Sequence, residues 1–437
     1  MEWFKTVPFS DVVLWDVKRY SFEKIKSQYP IVKLGLHIQE ESHKVKLADF
    51  PDEEFGILGV NNKIGIFDAY KEKGANINQS YKKMEKGWLA YNPYRVNVGS
   101  IGLRTEEHEN EYISPAYVVF SCKETLLPDF LFKLFKTERF NTVIKASTTG
   151  SVRQNLTIDI LKSLDIPLPP IEVQKRILKE YYSELINAKK AKENIDSLEL
   201  KIRKHILNRL NLKYIDPNQT AKGFRIINYK DLTRWDFQNT MNLESSFPIT
   251  NLGQYILAIS TGATPPTKRK DYFDGDINFY TPADIGEEKY LFNSERTISQ
   301  IAVDENKARI FEKDTLLFVG IGSTIGKVGI VGNDIASSNQ QITGLVINEE
   351  IANPSFLFYY LHYFKEISTY EKSQATIPIL NQDRISNIPI PNTDLNIQNI
   401  IVSEVDSMRE NINKEKDVLE LSIKTANENL QKNVFKL

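Results

Sequence analysis

The segment Ile166-Pro-Leu-Pro-Pro-Ile-Glu-Val-Gln174 has a counterpart later in the chain, Ile388-Pro-Ile-Pro-Asn-Thr-Asp-Leu-Asn-Ile-Gln398. Each segment closes a stretch of about 220 residues in which the same landmarks recur in the same order. Asp11-x-x-x-Trp15-Asp16 returns as Asp231-x-x-x-Trp235-Asp236, and Pro128-x-Phe-Leu-Phe132 returns as Pro354-x-Phe-Leu-Phe358. A repeat of this period predicts a duplicated structural unit.

Further landmarks extend the repeat, while the residues between them differ widely. Pro30, Leu34, Gly35 and Ile38 match Pro248, Leu252, Gly253 and Ile256, and Leu89, Tyr91, Gly99 and Gly102 match Leu316, Phe318, Gly326 and Gly329. A constant frame with divergent filling favours one scaffold that serves two specificities. The alternative is a duplicated structural module whose halves drifted without a functional reason.

The sequence of each half predicts a globular part with mixed α and β structure. Short β-like runs, such as residues 55–60, 117–120, 315–319 and 343–347, are separated by Gly, Asn and Asp. One helix is predicted in each half, at residues 128–140 and 354–370, and each opens with a proline, which the first turn of a helix tolerates.

The pattern after each Pro-x-Pro segment changes to that of a long helix. Apolar residues recur in steps of three and four from Ile177 to Ile206, and again from Ile401 to Val434 through Leu419, Ile423 and Ala426. Each helix would carry one narrow apolar stripe, which needs a partner. The simplest partner is the other helix, in an antiparallel coiled coil roughly 60 Å long. A long helix docked on another subunit would give the same pattern.

Composition excludes several classes of protein. The chain has 437 residues, of which 41% are hydrophobic, and a formal net charge of −1. It therefore lacks the basic excess of many nucleic-acid-binding proteins, although local basic patches remain compatible with a balanced total. Cys122 is the only cysteine, no basic segment with an apolar stretch opens the chain, and no apolar run is long enough to span a membrane. We expect a folded, soluble protein of the reducing cytoplasm.

No catalytic constellation is visible in the sequence. Gly320-Ile-Gly-Ser-Thr-Ile-Gly-Lys327 resembles a phosphate-binding loop, but its spacing fits neither a Walker A motif nor a dinucleotide fingerprint, and a glycine turn between two strands fits better. Asn92-Pro-Tyr94 lacks one proline of the motif of amino-methyltransferases. The five histidines never occur at metal-ligand spacing with one another.

Basic and amide-rich loops are the candidates for contacts with DNA, because phosphates attract Lys and Arg while amides and hydroxyls reach base edges. A solvated surface without a ligand would look similar. The acidic stretch of residues 49–54 would have to face away from phosphates. The candidate DNA-contacting residues are Asn61, Asn62, Lys63, Tyr94, Arg95, Asn97, Thr148, Thr149, Arg153, Thr264, Thr267, Lys268, Arg269, Lys270, Ser323, Thr324, Lys327, Asn339, Gln340 and Gln341.

Together with the tryptophan motif, three segments give the chain a resemblance to the specificity subunits of type I restriction-modification enzymes. They are Thr261-Gly-Ala-Thr-Pro265, Gly326-Lys-Val-Gly-Ile330 and the segment from Pro167 to Ile177. The resemblance covers essentially the whole length, and its most specific part is the architecture of two variable domains that are each followed by a Pro-x-Pro motif and a long helix. The first half departs from the family pattern, because no counterpart of Thr-Gly-Ala-Thr-Pro lies between Leu36 and Phe55.

The resemblance implies a non-catalytic subunit for phage defence that reads a bipartite site in double-stranded DNA, with one half-site for each target-recognition domain. It implies two methyltransferase subunits as partners, and a translocating endonuclease subunit as a further possible one. S-adenosylmethionine, ATP and Mg²⁺ would belong to those partners, so this chain would need no cofactor and no metal. The helical residues implied in methyltransferase docking are Gln174, Ile177, Tyr181, Leu185, Gln398, Ile401 and Val405. A tandem scaffold that binds proteins without sequence-specific DNA binding is the alternative.

The predicted fold class is α+β, with two mixed α/β target-recognition domains separated by two long helices that pair as an antiparallel coiled coil, in an internal pseudo-twofold repeat. The predicted boundaries are residues 1–165 for the first recognition domain, 166–213 for the first spacer helix, 214–228 for a linker, 229–386 for the second recognition domain and 387–437 for the second spacer helix.

Overall fold

A computed structural model describes residues 25–94, 99–147, 155–214, 243–370 and 377–436. The chain divides into two compact units, Met1–Ala191 with Asp417–Leu437 and Lys192–Lys416. The tryptophan motifs at Trp15 and Trp235, and all of the predicted linker after residue 214, lie outside the described residues.

The first unit contains two main sheets and a separate strand pair. The four-stranded sheet has the order β2-β10-β7-β8, the five-stranded sheet has the order β3-β6-β9-β4-β5, and β1 pairs with β11. Its strands are β1 (Ile31–Lys33), β2 (Ile38–Glu40), β3 (Lys44–Val45), β4 (Glu54–Asn61), β5 (Gly65–Lys73), β6 (Tyr81–Lys83), β7 (Leu89–Tyr91), β8 (Ile101–Leu103), β9 (Tyr112–Ile113), β10 (Val118–Cys122) and β11 (Asp165–Pro167).

Helices cover the four-stranded sheet of the first unit and build its main core. They are α1 (Pro128–Lys136), α2 (Glu138–Ser147), α3 (Ile158–Lys162) and the long α4 (Ile171–Leu210). Tyr91 and Phe120 of the sheet pack with Phe130 and Leu134 of α1 and with Ile177 of α4 in one buried cluster. Because this cluster includes the start of α4, the long helix is anchored in the core of the unit.

The second unit repeats the two-sheet plan. Its sheets have the orders β15-β23-β20-β21-β17 and β18-β16-β22-β19, with the separate pairs β12-β13 and β14-β24. Its strands are β12 (Lys213–Tyr214), β13 (Leu243–Glu244), β14 (Ile249–Asn251), β15 (Ile256–Thr261), β16 (Phe273–Tyr280), β17 (Tyr290–Leu291), β18 (Arg296–Ile298), β19 (Ile310–Glu312), β20 (Leu316–Val319), β21 (Val328–Val331), β22 (Ile335–Ser338), β23 (Ile342–Ile347) and β24 (Pro389–Pro391).

The helices of the second unit follow the order of those of the first, with one additional short helix, α5, ahead of them. They are α5 (Gln300–Asp304), α6 (Pro354–Tyr363), α7 (Lys365–Ser368), α8 (Gln382–Ser386) and the long α9 (Leu395–Val434). Nearly every side chain of α6, from Ser355 to Leu361, is buried. A helix that is apolar on all sides is typical of an element enclosed in a core.

The strand pair that closes each half shows which residues of the two Pro-x-Pro segments correspond to each other. Ile31 lies opposite Pro167, and Ile249 lies opposite Pro391. Pro167 therefore corresponds to Pro391 rather than to Pro389, and the spacing from this proline to the glutamine of the long helix is the same in both halves. The sequence alignment placed these segments two residues out of register.

The prediction of one continuous helix in each half is wrong, because the structure has two helices separated by a break in each of these places. Thr137 has extended dihedrals between α1 and α2, and its hydroxyl donates to the carbonyl of Leu134. In the second unit Phe364 interrupts the helix at φ −122° and ψ 49°, between α6 and α7. The predicted strands were correct to within one residue at their starts, since β4, β10, β20 and β23 overlap the runs identified in the sequence.

The two long helices pack against each other in antiparallel orientation, which confirms the predicted pair. Within the first unit the Asn433 side-chain amide donates to the Glu180 carboxylate at 3.0 Å. Within the second unit Asn194 donates to Glu415 at 3.2 Å, and His205 contacts Glu404 at 2.9 Å. Residue numbers rise along α4 as they fall along α9, which is the pattern of an antiparallel pair.

The apolar seam of α9 takes a different path from the predicted one near its end. Ser422 is buried, whereas Ile423 is 43% exposed. Residue 422 lies three positions after Leu419 and four before the buried Ala426, so these residues share one face at 3.6 residues per turn, and residue 423 is rotated about 100° away from it. Ile423 was predicted to lie in the apolar seam because it is apolar, but Ser422 occupies that position.

Candidate nucleic-acid interface

Three connections of the first unit leave its sheets at one edge. β4 and β9 are parallel, with Leu58 opposite Ile113, so residues 62–64 and 114–117 both follow the carboxyl ends of neighbouring strands. The connection between β7 and β8 lies beside them, because the Ser100 hydroxyl donates to the carbonyl of Val60 at 3.4 Å. We name this edge the loop edge of the first unit.

A tight turn at the loop edge presents three of the candidate DNA-contacting residues. The Asn61 side-chain oxygen accepts from the backbone amides of Lys63 and Ile64, both at 2.9 Å, and so closes the turn between β4 and β5. Gly65 follows at φ +83°, where a side chain would also press against the backbone of Gly102. Asn61 is therefore occupied in holding the turn, while the side chains of Asn62 and Lys63 are exposed.

Tyr94 lies on the neighbouring connection of the loop edge. The backbone amide of Tyr94 donates to the side-chain oxygen of Asn92 at 3.0 Å, and Tyr94 is 60% exposed. Arg95 and Asn97 on the same connection lie outside the described residues, as do Thr148, Thr149 and Arg153. The structure thus brings Asn61, Asn62, Lys63 and Tyr94 to one edge.

Acidic residues collect at the opposite end of the same strands. Glu54 begins β4, about 23 Å of strand away from Asn61 at 3.3 Å per residue. A cleft of about 330 Å³ at this end is lined by Glu54, Lys71, Glu109, Asn110 and Glu111, among others. The acidic stretch and the exposed Lys63 therefore lie at opposite ends of the strands, which is the arrangement that a surface in contact with phosphates needs.

The second unit has a corresponding loop edge. β16 and β22 are parallel, with Tyr280 opposite Ser338, so residues 281–295 and 339–341 leave the sheet on the same side. The glycine-rich connection between the antiparallel β20 and β21 lies next to them, because the amide of Gly320 donates to the carbonyl of Gln341 at 2.8 Å. This connection is the predicted glycine turn between two strands.

A cleft of about 410 Å³ opens between these connections of the second unit. The lining comes from three connections and the start of β18, and polar groups predominate in it. The lining residues are Thr281, Pro282, Ala283, Glu295, Arg296, Gly322, Ser323, Thr324, Asn339 and Gln341. Four candidates from the sequence, Ser323, Thr324, Asn339 and Gln341, are thus brought together. We name this site the polar cleft.

Two amide side chains in the polar cleft fix each other. The Asn339 side-chain oxygen accepts from the backbone amide of Gln341 at 3.0 Å, which leaves the Asn339 side-chain nitrogen to donate to Gln341 Oε1, also at 3.0 Å. Gly322, at φ +104°, lies close to Gln341 Nε2, since an added Cβ would come within 3.3 Å of it. Gln341 therefore has a defined orientation before any ligand arrives.

Two candidate cations of the second unit are engaged within the protein. The Lys327 ammonium donates to the carbonyls of Pro282 at 3.2 Å and Ile285 at 2.7 Å, so it supports one wall of the polar cleft. The Arg269 guanidinium forms an ion pair with Asp271 at 2.6 Å and lies over the ring of Tyr272. The hydrogen bond with Asp271 raises the pKa of Arg269 and lowers that of the carboxyl group.

Other residues of the loop 264–270, which we name the basic loop, are open to solvent. Thr267, Lys268 and Lys270 are exposed. The Thr264 hydroxyl donates to Gln340 Oε1 at 2.5 Å, which holds the loop beside the polar cleft. Lys268 and Lys270 form no ion pair with any residue in the described part of the chain.

Sequence reasoning missed Arg296, Thr281 and the connection formed by residues 114–117. Arg296 lines the polar cleft and forms no ion pair with the described residues. The available signal was a difference in length between the halves, because residues 62–64 separate β4 from β5, whereas residues 281–295, β17 included, separate β16 from β18. Only the strand pairing reveals that these connections occupy the same position.

The glutamines implied in docking are internal to each unit. Gln174 Oε1 accepts from the amide of Leu127 at 2.8 Å, and its Nε2 donates to the carbonyls of Thr125 and Pro169. In the second unit Gln398 makes the same three contacts, with Asn353, Ile351 and Thr393. Both side chains are fully buried. Each glutamine therefore joins the first turn of a long helix to the loop before α1 or α6.

The other helical residues implied in docking are buried to different degrees. Ile177, Ile401 and Val405 are buried, whereas Tyr181 and Leu185 are only partly covered. The ring of Tyr181 lies 5.1 Å from the Lys133 ammonium, and burial lowers the pKa of this lysine. Neighbouring apolar side chains on α4, Tyr182 and Ile186, are exposed.

The described residues contain no group of three or more His, Cys, Asp or Glu side chains that could hold a metal ion. Burial raises the pKa of the Cys122 thiol to about 12, so it is protonated at neutral pH. No helix in the described part of the chain has the length and apolar character that crossing a bilayer requires.

The sequence profile of the type I restriction modification DNA specificity domain matches residues 18–196 and again residues 247–421. The chain therefore belongs to this family, and the two matches coincide with the two halves of the repeat.

Relatives and a solved structure agree with this assignment. The MjaIX specificity subunit of Methanocaldococcus jannaschii is 32% identical over 170 residues, which span 37% of this chain and only 38% of that relative. The putative MjaX specificity subunit of the same organism is 22% identical over 350 residues, 75% of this chain and 76% of the relative. Both relatives are named as specificity subunits of type I restriction enzymes.

The fold is also similar to that of a chain solved in work on complex assembly and conformational transition of the type I R-M system. The TM-score is 0.54 at 16% identity, and the match covers 94% of this chain and 100% of that chain.

Proposed function

We propose that this chain selects the DNA target of a type I restriction-modification complex and that each unit reads one half of a bipartite site. The observation that carries the proposal is the loop edge, which occurs in both units on the same strands with different side chains. Asn62, Lys63 and Tyr94 are exposed at the first edge, whereas the second holds the polar cleft and a basic loop. Different donors and acceptors on one scaffold fit two different base sequences.

The long helices would set the distance between the half-sites and dock two methyltransferase subunits. Their buried residues stabilise the pair, so docking would use side chains that remain exposed, such as Ile186 on α4 and Leu421 on α9. Exposed apolar side chains of this size are common at protein interfaces. An endonuclease subunit would join the same assembly.

S-adenosylmethionine, ATP and Mg²⁺ would be bound by those partners, and the complex would act in the cytoplasm, where its DNA is. The chain itself would contribute recognition and spacing. The polar cleft, the basic loop and the turn at residues 61–65 are the surfaces that would meet the duplex.

An exchange of the second recognition domain tests this proposal. Residues 229–386 are replaced by the corresponding segment of another family member, and the methylated sequence is read across the genome of a host that expresses the assembled complex. We expect one half-site to change while the other half-site and the gap stay the same. An unchanged methylated sequence would contradict the proposal.

A gel-shift assay with the methyltransferase subunits present separates this function from that of a tandem protein scaffold. DNA recognition predicts retardation that depends on the sequence of the duplex. A scaffold predicts none.

A further inference from the structure

We propose that the polar cleft of the second unit reads an adenine, with Gln341 as the specificity-determining residue and Asn339 as the residue that positions it. This inference rests on the proposed function, since it names the base that one half-site presents to the cleft.

The hydrogen bonds of the two amides determine which groups remain for a ligand. Asn339 Oδ1 accepts from the backbone, so Asn339 Nδ2 faces Gln341, and Gln341 must turn its oxygen toward it. Gln341 Nε2 donates to no residue in the described ranges. Gln341 thus retains two N–H donors and a second lone pair on Oε1, side by side.

This pattern matches the major-groove edge of adenine and of no other base. Adenine presents an acceptor at N7 and a donor at N6, so Oε1 can accept from N6 while Nε2 donates to N7. Guanine presents two acceptors, and its O6 would face Oε1. Cytosine offers a donor alone, and thymine offers an acceptor beside a methyl group.

The charges around the polar cleft favour a base edge over a phosphate as the ligand of Gln341. Glu295 and Arg296 both line the cleft, so its two charged side chains have opposite signs. A phosphate site would carry an excess of cations. Arg296 and Ser323 remain free of ion pairs and side-chain hydrogen bonds in the described residues, and they can contact the DNA backbone beside the base.

The shape of the cleft supports the same assignment. Gly322 has a positive φ and no side chain, so the approach to Gln341 Nε2 stays open. Lys327 fixes the Pro282 wall of the cleft through hydrogen bonds to two backbone carbonyls. Because Gln341 is already ordered, binding costs it less side-chain entropy than it would cost a mobile glutamine.

The test uses the full chain assembled with its methyltransferase subunits, and duplexes that vary one base pair at a time through both half-sites. The wild-type complex should require an A·T pair at one position of the half-site that the second unit reads. Gln341→Ala should reduce discrimination at that position about 5- to 150-fold and leave the other positions unchanged. Gln341→Glu, which offers acceptors only, should shift the preference there toward cytosine.

Two further variants complete the design. Asn339→Asp keeps Gln341 but removes the donor that orients it, and it should also weaken the preference for adenine. Gln300→Ala alters an exposed glutamine outside the cleft and should have no effect on sequence preference. If Gln341→Ala fails to assemble, Gln341→Glu, which preserves the side-chain size, decides the question.

Two results would overturn the inference while the proposed function stands. One is unchanged discrimination at every position in the Gln341 variants, and the other is a loss of affinity that is equal for all sequences. If the wild-type complex itself shows no sequence preference, the proposed function fails together with the inference.

Discussion

At the scale of single residues, two buried glutamines occupy equivalent positions in the two units. Gln174 and Gln398 each accept one backbone hydrogen bond and donate two. Their repetition in the sequence was visible, but their role was not, because a glutamine near the start of an amphipathic helix is usually exposed. The spacing from Pro167 to Gln174 equals the spacing from Pro391 to Gln398, so each half preserves the whole junction between its closing strand and its long helix.

Replacing either glutamine by alanine should destabilise the unit that contains it. Gln398→Ala leaves the amide of Asn353 and the carbonyls of Ile351 and Thr393 without this partner, at about 1–3 kcal/mol for each group that stays buried and unpaired. Unfolding in urea measures the loss. Gln300→Ala, on an exposed side chain, is the control and should lie within about 0.5 kcal/mol of the wild type. Equal midpoints for the two variants would contradict the proposed role.

His362 should make the second unit sensitive to acid. Burial lowers its pKa to about 4, and nearby cations act in the same direction. Below pH 6.5 the unfolded chain binds a proton that the folded chain refuses, so stability is present above pH 6.5 and falls until about pH 4. At about 1.4 kcal/mol per pKa unit the loss is roughly 3 kcal/mol. The charged groups near this ring are Arg409, Glu287, Lys365 and Lys416.

Thermal unfolding between pH 7.5 and pH 4 checks this prediction. His362→Phe should preserve the stacking on Phe358 and remove part of the pH dependence. His43→Gln, at an exposed site, should leave the dependence as it is. Identical pH profiles for the wild type and His362→Phe would refute the assignment.

At the scale of elements, the long helices were predictable because their apolar spacing persists over many turns. The breaks at Thr137 and Phe364 were not, since they depend on a hydroxyl that bonds back to Leu134 and on packing around Phe364. The loop edges were predictable only in part. Lys327 and Arg269 look like free cations in the sequence, and only the structure reveals the carbonyls and carboxylates that engage them.

Two neighbouring apolar residues of α4 should respond very differently to truncation. Ile202 is fully buried in the second unit, whereas Leu200 is 52% exposed. Ile202→Ala should cost about 2–5 kcal/mol, because it removes buried methylene groups and leaves a cavity. Leu200→Ala should change the stability by less than about 0.5 kcal/mol. Urea unfolding of the two variants compares them directly, and similar losses would show that the seam is misplaced.

At the scale of the whole molecule, the boundary between the units crosses both long helices, after Ala191 in α4 and after Lys416 in α9. Neither helix breaks at this boundary, since α4 runs from Ile171 to Leu210 and α9 from Leu395 to Val434. In the described part of the chain, the two long helices are thus the only elements that contain residues of both units. If the helices set the gap in the target, this boundary is the point at which to change it.

Insertion of one heptad into each helix at this boundary should lengthen the gap in the DNA target. Seven residues add about 10 Å while keeping the apolar stripe nearly in phase, and 10 Å corresponds to about three base pairs at 3.4 Å each. The methylated sequence of a host expressing the altered complex measures the change. Both half-sites should persist. A gap of unchanged length would separate the helices from the spacing function.

The balanced net charge also has a physical explanation at this scale. Lys63 and the acidic cleft around Glu54 lie at opposite ends of the first unit's strands, and the ion pairs of Arg269 hide part of the positive charge of the second unit. Total charge could therefore not reveal where DNA would bind. The positions of the charges required the strand pairing, which one sequence does not provide.

The unequal length of the connections beside β4 and β16 has a consequence for how such proteins diversify. Residues 281–295, which include the short strand β17, form a connection about five times as long as residues 62–64, yet both join antiparallel strands of the same sheet position. For a flexible loop, a fivefold increase in length adds only about 1.4 kcal/mol of closure entropy, and the pairing of β17 with β21 orders part of this connection. A lineage can thus inherit new recognition chemistry as a change of loop length alone, while the glutamine junctions and the sheets keep folding as before.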